Sequence, residues 1–363
     1  GGLKSFSIFA LGVSPYITAS IITQLLQMDI IPYFKELKEQ GYTGKQKINK
    51  ITRYLGILFA FIQGFAFTIA YSGTTEVMTI IKTTVVLTAG TSLLLWIGDQ
   101  ITKHGIGNGL SLIIMAGILA SLPQMFIVAF TSLVSLTGTA QVITLGILKF
   151  LLFIIVYFAI VIGIIFVQES ERRIPIQYAN KSTSAYGNAQ SFMPIKINTA
   201  GVIPVIFASS LLSIPSIIAQ VVNKEAFTLF VQKYLTYTTP VGFGIYVIFI
   251  FLFAYFYTFI QVKPDEFAKN LHENGGYIPG IRPGDETKKY ISRVLSRLTV
   301  LGATFLVVIA GLPILFSSLT SLPTSVSIGG TGLLIVVGVA LETYKQLEGS
   351  ILTRSYKRGY SRR

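Results

Sequence analysis

Three stretches of the chain, Leu145 to Val167, Gly242 to Ile260 and Leu298 to Phe316, each run for roughly 20 residues almost without charge, the length an α-helix needs to cross about 30 Å of hydrocarbon. Such runs leave little choice of fold. A backbone N–H or C=O inside lipid has no water to bond, so only helices and closed barrels span a bilayer. The strict alternation of apolar and polar residues that a membrane barrel needs is absent. Composition agrees: 52% of the 363 residues are hydrophobic, 12% are charged and mean hydropathy is +0.67, too much apolar surface for a soluble domain of this size. The fold class expected is all-α, a polytopic membrane helical bundle.

Hydropathy marks nine candidate spans, at about 8–28, 54–71, 81–98, 109–128, 145–167, 199–221, 240–260, 298–317 and 329–348. The connections then alternate between two sides, and the formal net charge of +14 divides unevenly between them. All but five of the 29 Lys and Arg residues fall on one side; Lys4, Lys82, Lys149, Lys224 and Lys233 are the exceptions. The positive-inside rule makes the rich side cytoplasmic and places the C-terminus there. Nine spans then put Gly1 outside. Because the chain opens on Gly with no cleavable leader, at least one further span is expected upstream. Placement along the chain therefore assigns the positive charge to topology rather than to DNA.

Three connections on the basic side are long or strongly charged: Pro32 to Arg53, Gln168 to Asn198 and Gln261 to Arg297. They are too polar for lipid and too long for plain turns, so they are expected to project as hairpins or helical extensions. Either they dock a partner or their charge merely sets topology. The other side has short connections rich in Ser, Thr, Gly and Pro, near Tyr71 to Glu76 and Ser317 to Ser327. Two halves are expected, 1–128 with about four spans and 129–363 with about five, the second carrying the loops 168–198 and 261–297.

Chemistry is conspicuously missing. Lys82, Asp99, Lys149, Glu342 and Glu348 lie near span ends, where snorkelling to the headgroups accounts for them, so ion-coupled transport is disfavoured. The only histidines, His104 and His272, sit in separate loops and form no H-E-x-x-H pair. There is no cysteine, hence no disulfide or thiolate site. Gly41 to Lys45 lacks phosphate-loop spacing, and Gly105, Ile106, Gly107, Asn108, Gly109 reads as a tight turn between two spans. Asn180, Lys181, Ser182 matches a glycosylation pattern that would go unused on a cytoplasmic loop. No enzyme, no cofactor and no metal site are expected, and any energy must come from a partner.

Six segments together resemble the SecY (Sec61α) family of protein-translocation channels: FALGVSPYITASIITQLLQ from Phe9, TRYLGILFAFIQG from Thr52, WIGDQITKHGIGNGLSLIIMAG from Trp96, ERRIPIQYAN from Glu171, INTAGVIPVIFASS from Ile197 and GGYIPGIRPGDETKKYI from Gly275. They cover nearly the whole chain in a consistent order. The resemblance implies a ten-span bundle in which the first helix and most of the plug precede this sequence, with Gly1, Gly2 and Leu3 as the plug's tail. The outer segment near Tyr71 to Thr79 is short for the family.

The resemblance also implies a mechanism and its residues. A polypeptide channel that leaks few ions needs a narrow apolar constriction. Carried over by motif, that pore ring is Val13 and Ile17 in VSPYI, Leu110 and Ile114 in GLSLII, Ile203 in VIP and Ile335 in LLIVV. Pro15 and Pro204 follow two ring positions and either kink a movable wall or serve packing. Spans 8–28 and 54–71 are implied to face spans 199–221 and 240–260 across a lateral gate, with Gln63 and Ser209 as polar gate residues. Arg282, among glycines and prolines at a loop tip, with Arg172, Arg173, Lys288 and Lys289, is implied to receive the ribosome or the SecA motor; a local contact to Asp285 or a loop carbonyl is the alternative for Arg282. Family partners are SecE, SecG, SecA or a ribosome, substrates are secretory and membrane polypeptides with signal sequences, and the expected location is a bacterial plasma membrane. The competing readings are a small-solute secondary transporter and a non-pore insertase or scaffold subunit.

Overall fold

The computed structural model describes residues 7–27, 31–72, 76–134, 140–178, 191–222, 224–236, 239–320 and 329–360. The elements run α1 (Ser14–Leu26), α2 (Pro32–Glu39), α3 (Tyr42–Ser72), α4 (Val77–His104), α5 (Gly109–Leu133), α6 (Ala140–Glu169), β1 (Glu171–Tyr178), β2 (Ser191–Lys196), α7 (Ile203–Val222), α8 (Glu225–Tyr234), α9 (Pro240–Gln261), α10 (Pro264–Glu273), β3 (Gly276–Tyr277), α11 (Asp285–Thr320) and α12 (Gly329–Tyr360). Among the described residues, six helical stretches are long and apolar enough to cross a membrane, and Ile203–Ser216 is a shorter apolar helix. The protein is a helical, multi-pass membrane protein. Its most apolar span, α6, buries little of its surface within the protein, and Leu148, Leu152, Ile155, Ile162 and Phe166 point outward as lipid-facing side chains do.

Helix ends differ from the apolar windows in an instructive way. α3 begins at Tyr42 and α11 at Asp285, each about a dozen residues before the apolar run that marks the span in sequence. The intervening Lys, Gln, Glu and Arg residues are good helix formers, so the helix carries on where hydropathy falls silent. α1 and α7 show the opposite. Residues 8–13 and 197–202 are turns rather than the first turns of helices, which begin only at Ser14 and Ile203. His104 is likewise the last residue of α4, and His272 lies in α10, rather than in loops.

The chain divides into two compact units, Gly1–Val128 with Ser210–Gly242 and Ile335–Arg363, and Ala129–Ser209 with Phe243–Leu334. In the first, α1 packs on α3, where Gly56 leaves room for the Tyr16 side chain, and α3 packs on α4. α2 folds back onto the start of α3 through Phe34, Leu37 and Ile48. In the second, a three-stranded antiparallel sheet of order β2-β1-β3 is built on the charged connections. Its β1–β2 register pairs Arg172 with Ile195 and Ile174 with Met193. Ile174, Ile176 and Ile195 turn inward against Leu271 of α10, Ile278, and Ile291, Leu295 and Leu298 of α11, a core of the kind found in soluble domains. The expected projections from Gln168 and Gln261 are thus one folded body. The segment 179–190 with its Asn180 pattern, residues 1–3, 73–75 and 321–328 lie outside the described residues.

Candidate functional site

The six expected ring positions lie within the first two turns of their helices or at the N-cap. Val13 is the N-cap residue of α1 and Ile17 lies one turn on, its N–H donating to the Val13 carbonyl at 3.1 Å. Gly12, with φ 55°, turns the chain just before them, a conformation costing an L side chain about 1–2 kcal/mol. Ile203 opens α7 behind Gly201, with φ 65°. The two prolines are therefore not kinks. Pro15 and Pro204 occupy the first turn of their helices, where the missing N–H would have had no intrahelical partner and the fixed φ favours the helix. Prolines in helix interiors lie elsewhere, at Pro123 in α5, Pro215 in α7 and Pro313 in α11.

Leu110 and Ile114 are positioned by the turn between α4 and α5. Asn108 caps α5, its Oδ1 accepting from the Leu110 N–H at 3.1 Å and the Ser111 N–H at 3.4 Å. Thr102 Oγ1 accepts from the Gly109 N–H at 2.8 Å and donates to the Gly98 carbonyl at 2.9 Å. Gly109 lies so close to the Gly98 carbonyl that no side chain fits there, and a Cβ at Gly98 would stand 2.6 Å from Leu110 Cδ2. The glycines of this turn thus let two spans approach closely, and that approach fixes where Leu110 points. Gly107, with φ 85°, completes the turn. Val13 is buried and the other five ring residues, including Ile335 on α12, are half-buried. The five half-buried ones are neither core nor lipid-facing in the manner of α6.

Of the two expected gate residues, Gln63 is half-buried on α3, and Ser209 is exposed on α7 with its hydroxyl donating to the Ile206 carbonyl of its own helix at 2.9 Å. A polar contact missed in the sequence lies elsewhere in the first unit: Arg53 of α3 pairs with Asp99 of α4. Asp99 is thus more than a residue near a span end. The only signal was the presence of one cation and one anion in TRY and WIGDQ, with nothing to say that they meet.

The basic residues converge on the sheet body of the second unit. Arg172 shares a face with Ile174, while Arg173 is on the opposite face, where its Nε donates to Glu171 at 2.9 Å. Arg282 is exposed in a turn bounded by Gly280 (φ 82°) and Gly284 (φ 97°); its carbonyl accepts from Thr287 Oγ1 at 2.9 Å. Among the described residues no ion pair reaches its guanidinium, Asp285 included. Lys288 pairs with Asp265 of α10, and this hydrogen bond, with the charge behind it, holds the ammonium above its ordinary value. Lys289 donates to Glu286 at 3.3 Å. Of this group Arg282 and Arg172 are the cations left to meet an outside anion.

A family model named SecY matches residues 7–344. The protein translocase subunit SecY of Bacillus licheniformis is 45% identical over 367 residues, covering 98% of this chain and 85% of its own length. That of Staphylococcus epidermidis is 46% identical over 373 residues, covering 98% and 84%. Among solved structures, one described as a protein-conducting channel superposes with TM-score 0.63 at 20% identity, covering 94% of this chain and 81% of the other. Sec61 in the canine ribosome–channel complex from the endoplasmic reticulum gives 0.57 at 19%, covering 94% and 81%.

Proposed function

The chain belongs to the SecY family, and we propose that it conducts polypeptides across a bacterial plasma membrane through a pore closed by Val13, Ile17, Leu110, Ile114, Ile203 and Ile335. The observation that carries this reading is the match over residues 7–344 together with what occupies those six positions: every one is aliphatic, and none is turned fully outward. Apolar side chains around a narrow passage disfavour water when it is empty and make no specific demand on the chain passing through. The protein is no enzyme; the work of moving the substrate belongs to a partner.

Lateral release of a hydrophobic segment would use the gate of α1 and α3 against α7 and α9, with Gln63 and Ser209 tuning its stability by interhelical hydrogen bonds of about 0.6 kcal/mol each. For Ser209 that requires its hydroxyl to leave Ile206. The sheet body bearing Arg172, Arg173, Arg282, Lys288 and Lys289 faces the cytoplasm with the C-terminus, where its free guanidinium groups suit ribosomal RNA or an acidic motor surface. A ribosome and SecA are the partners proposed there, with SecE and SecG in the bilayer. Ribosome complexes of structurally similar channels support the first of these.

A photocrosslinker at Ile17 and Ile114 of the full-length protein, with a secretory polypeptide stalled midway, tests the ring. Crosslinks at both sites that vanish when the signal sequence is deleted are expected. Crosslinks confined to lipid-facing controls such as Phe158 would overturn the pore and favour an insertase or scaffold.

A further inference from the structure

Helix α8 has ten residues, EAFTLFVQKY, and lies between α7 and α9. At 1.5 Å per residue it reaches only about 15 Å, half of what a span requires. It is also held to its neighbour. Thr239 Oγ1 donates to the Thr236 carbonyl at 2.8 Å and accepts from the Gly242 N–H at 3.2 Å, and that carbonyl lies where a side chain on Gly242 would have to be. The helix is thereby fixed at the end of a membrane-crossing helix, on the side of the chain that has few Lys and Arg residues.

Its side chains divide into three sectors at helical spacing. Val231 is buried and Phe227 half-buried, facing the protein. Glu225 and Gln232 form a narrow exposed polar strip. The third sector, Ala226, Leu229, Phe230 and Tyr234, is apolar and exposed, with Leu229 58% and Phe230 51% accessible. A helix at a water surface would carry polar residues in that sector. The single cation among them, Lys233, lays its Nζ 5.5 Å from the centre of the Tyr234 ring, and Lys224 precedes the helix at its N-cap. Phe and Leu at the centre, Tyr at one margin and a lysine at each end is the arrangement suited to a bilayer surface, with apolar bodies among acyl chains and polar tips at phosphate.

We propose that α8 is an interfacial helix that binds the lipid surface, seating Leu229, Phe230 and Tyr234 in the outer headgroup and acyl boundary while Lys224 and Lys233 meet lipid phosphates. It anchors the connection between α7 and α9 to the leaflet. The proposal uses only the multi-pass membrane character of the chain, so its failure would leave the conducting function standing.

Trp96 is the sole tryptophan, so Trp96→Phe gives a silent background. In that background Phe230→Trp and Gln232→Trp place one reporter in each exposed sector of the full-length protein, reconstituted in vesicles of phosphatidylcholine and phosphatidylglycerol. Phosphatidylcholine brominated near its headgroup end should quench tryptophan at 230 several-fold more than at 232, and aqueous acrylamide the reverse. Leu229→Trp should repeat the result at 230, which covers the case in which Phe230→Trp does not fold. Equal acrylamide quenching at 229, 230 and 232 would place the sector in water and overturn the proposal. Shielding of 229 and 230 from both quenchers would overturn it in favour of a protein cover.

Discussion

The starts of α1 and α7 are two versions of one device. Gly12, Val13, Ser14, Pro15 and Gly201, Val202, Ile203, Pro204 share the pattern G-V-x-P, and both glycines take positive φ, 55° and 65°. Both close a short turn, Gly12 N–H onto the Phe9 carbonyl at 3.0 Å and Gly201 N–H onto the Asn198 carbonyl at 3.4 Å. Both helices then bury the same stripe: Pro15, Ala19 and Thr23 in α1, and Pro204, Ala208 and Leu212 in α7. Each packs on the next long helix, α1 on α3 and α7 on α9, the latter through Phe207 edge-on to Phe253 at 5.4 Å. The lesson is that two ring-bearing helices share a backbone turn and a buried stripe that differs only in its last residue, Thr against Leu, while α7 also buries Val205 and Phe207 where α1 has the half-buried Tyr16 and Thr18.

The largest effect should come from filling the shared stripe. Ala19 and Ala208 are both fully buried, so Ala19→Leu and Ala208→Leu each force extra methylenes into a closed seam, at about 1–3 kcal/mol. Both should lower thermal stability in detergent, followed by fluorescence-detected size exclusion, and by similar amounts. A large loss at one site and none at the other would break the equivalence of the two helices.

The turn comes next. At Gly12 and Gly201 no neighbouring atom lies within 4 Å of where a Cβ would go, so alanine there meets only the backbone cost of left-handed φ, about 1–2 kcal/mol. Gly12→Ala and Gly201→Ala should destabilise almost equally in the same measurement. Gly90→Ala is the contrast: its φ is ordinary, but the new methyl would run into the Ile8 carbonyl that rests on α4, so its loss would be steric. If Gly12→Ala proved harmless, the turn before α1 would not need the conformation seen.

Legibility followed the physics that each feature depends on. The apolar run of α6 was plain, because crossing lipid imposes length and hydropathy together. The start of α3 at Tyr42 was not, since lysines and glutamines continue a helix without any hydropathy signal. The ring residues were found only through motif resemblance: an aliphatic at 110 or 114 looks like any other until Asn108, Thr102 and the Gly98–Gly109 approach fix its direction. The likeness of the two helix starts is legible as G-V-x-P-x-I-x-A-S at 12–20 and again at 201–209, but only burial shows that Pro15 and Ala19 line the same kind of stripe as Pro204 and Ala208. The Arg53–Asp99 pair was hidden for a similar reason, since distance in the chain says nothing of distance in space.

The smallest effect probes the one place where the two stripes part. Thr23 Oγ1 donates to the Ala19 carbonyl of its own helix at 2.8 Å, so the hydroxyl is satisfied locally and asks nothing of α3. Replacing it by valine keeps the branched shape and removes a bond that competes with an existing helical one, so Thr23→Val should change stability by only about 0.5 kcal/mol. Leu212→Thr, the reciprocal change, can satisfy its new hydroxyl in the same way on the Ala208 carbonyl but gives up about two buried carbons, on the order of 2 kcal/mol. If Thr23→Val instead cost as much as Ala19→Leu, the hydroxyl would have a second partner across the seam. α1 would then be held by a polar contact where α7 relies on a leucine, and the two helices would share a backbone device without sharing the interaction that closes it.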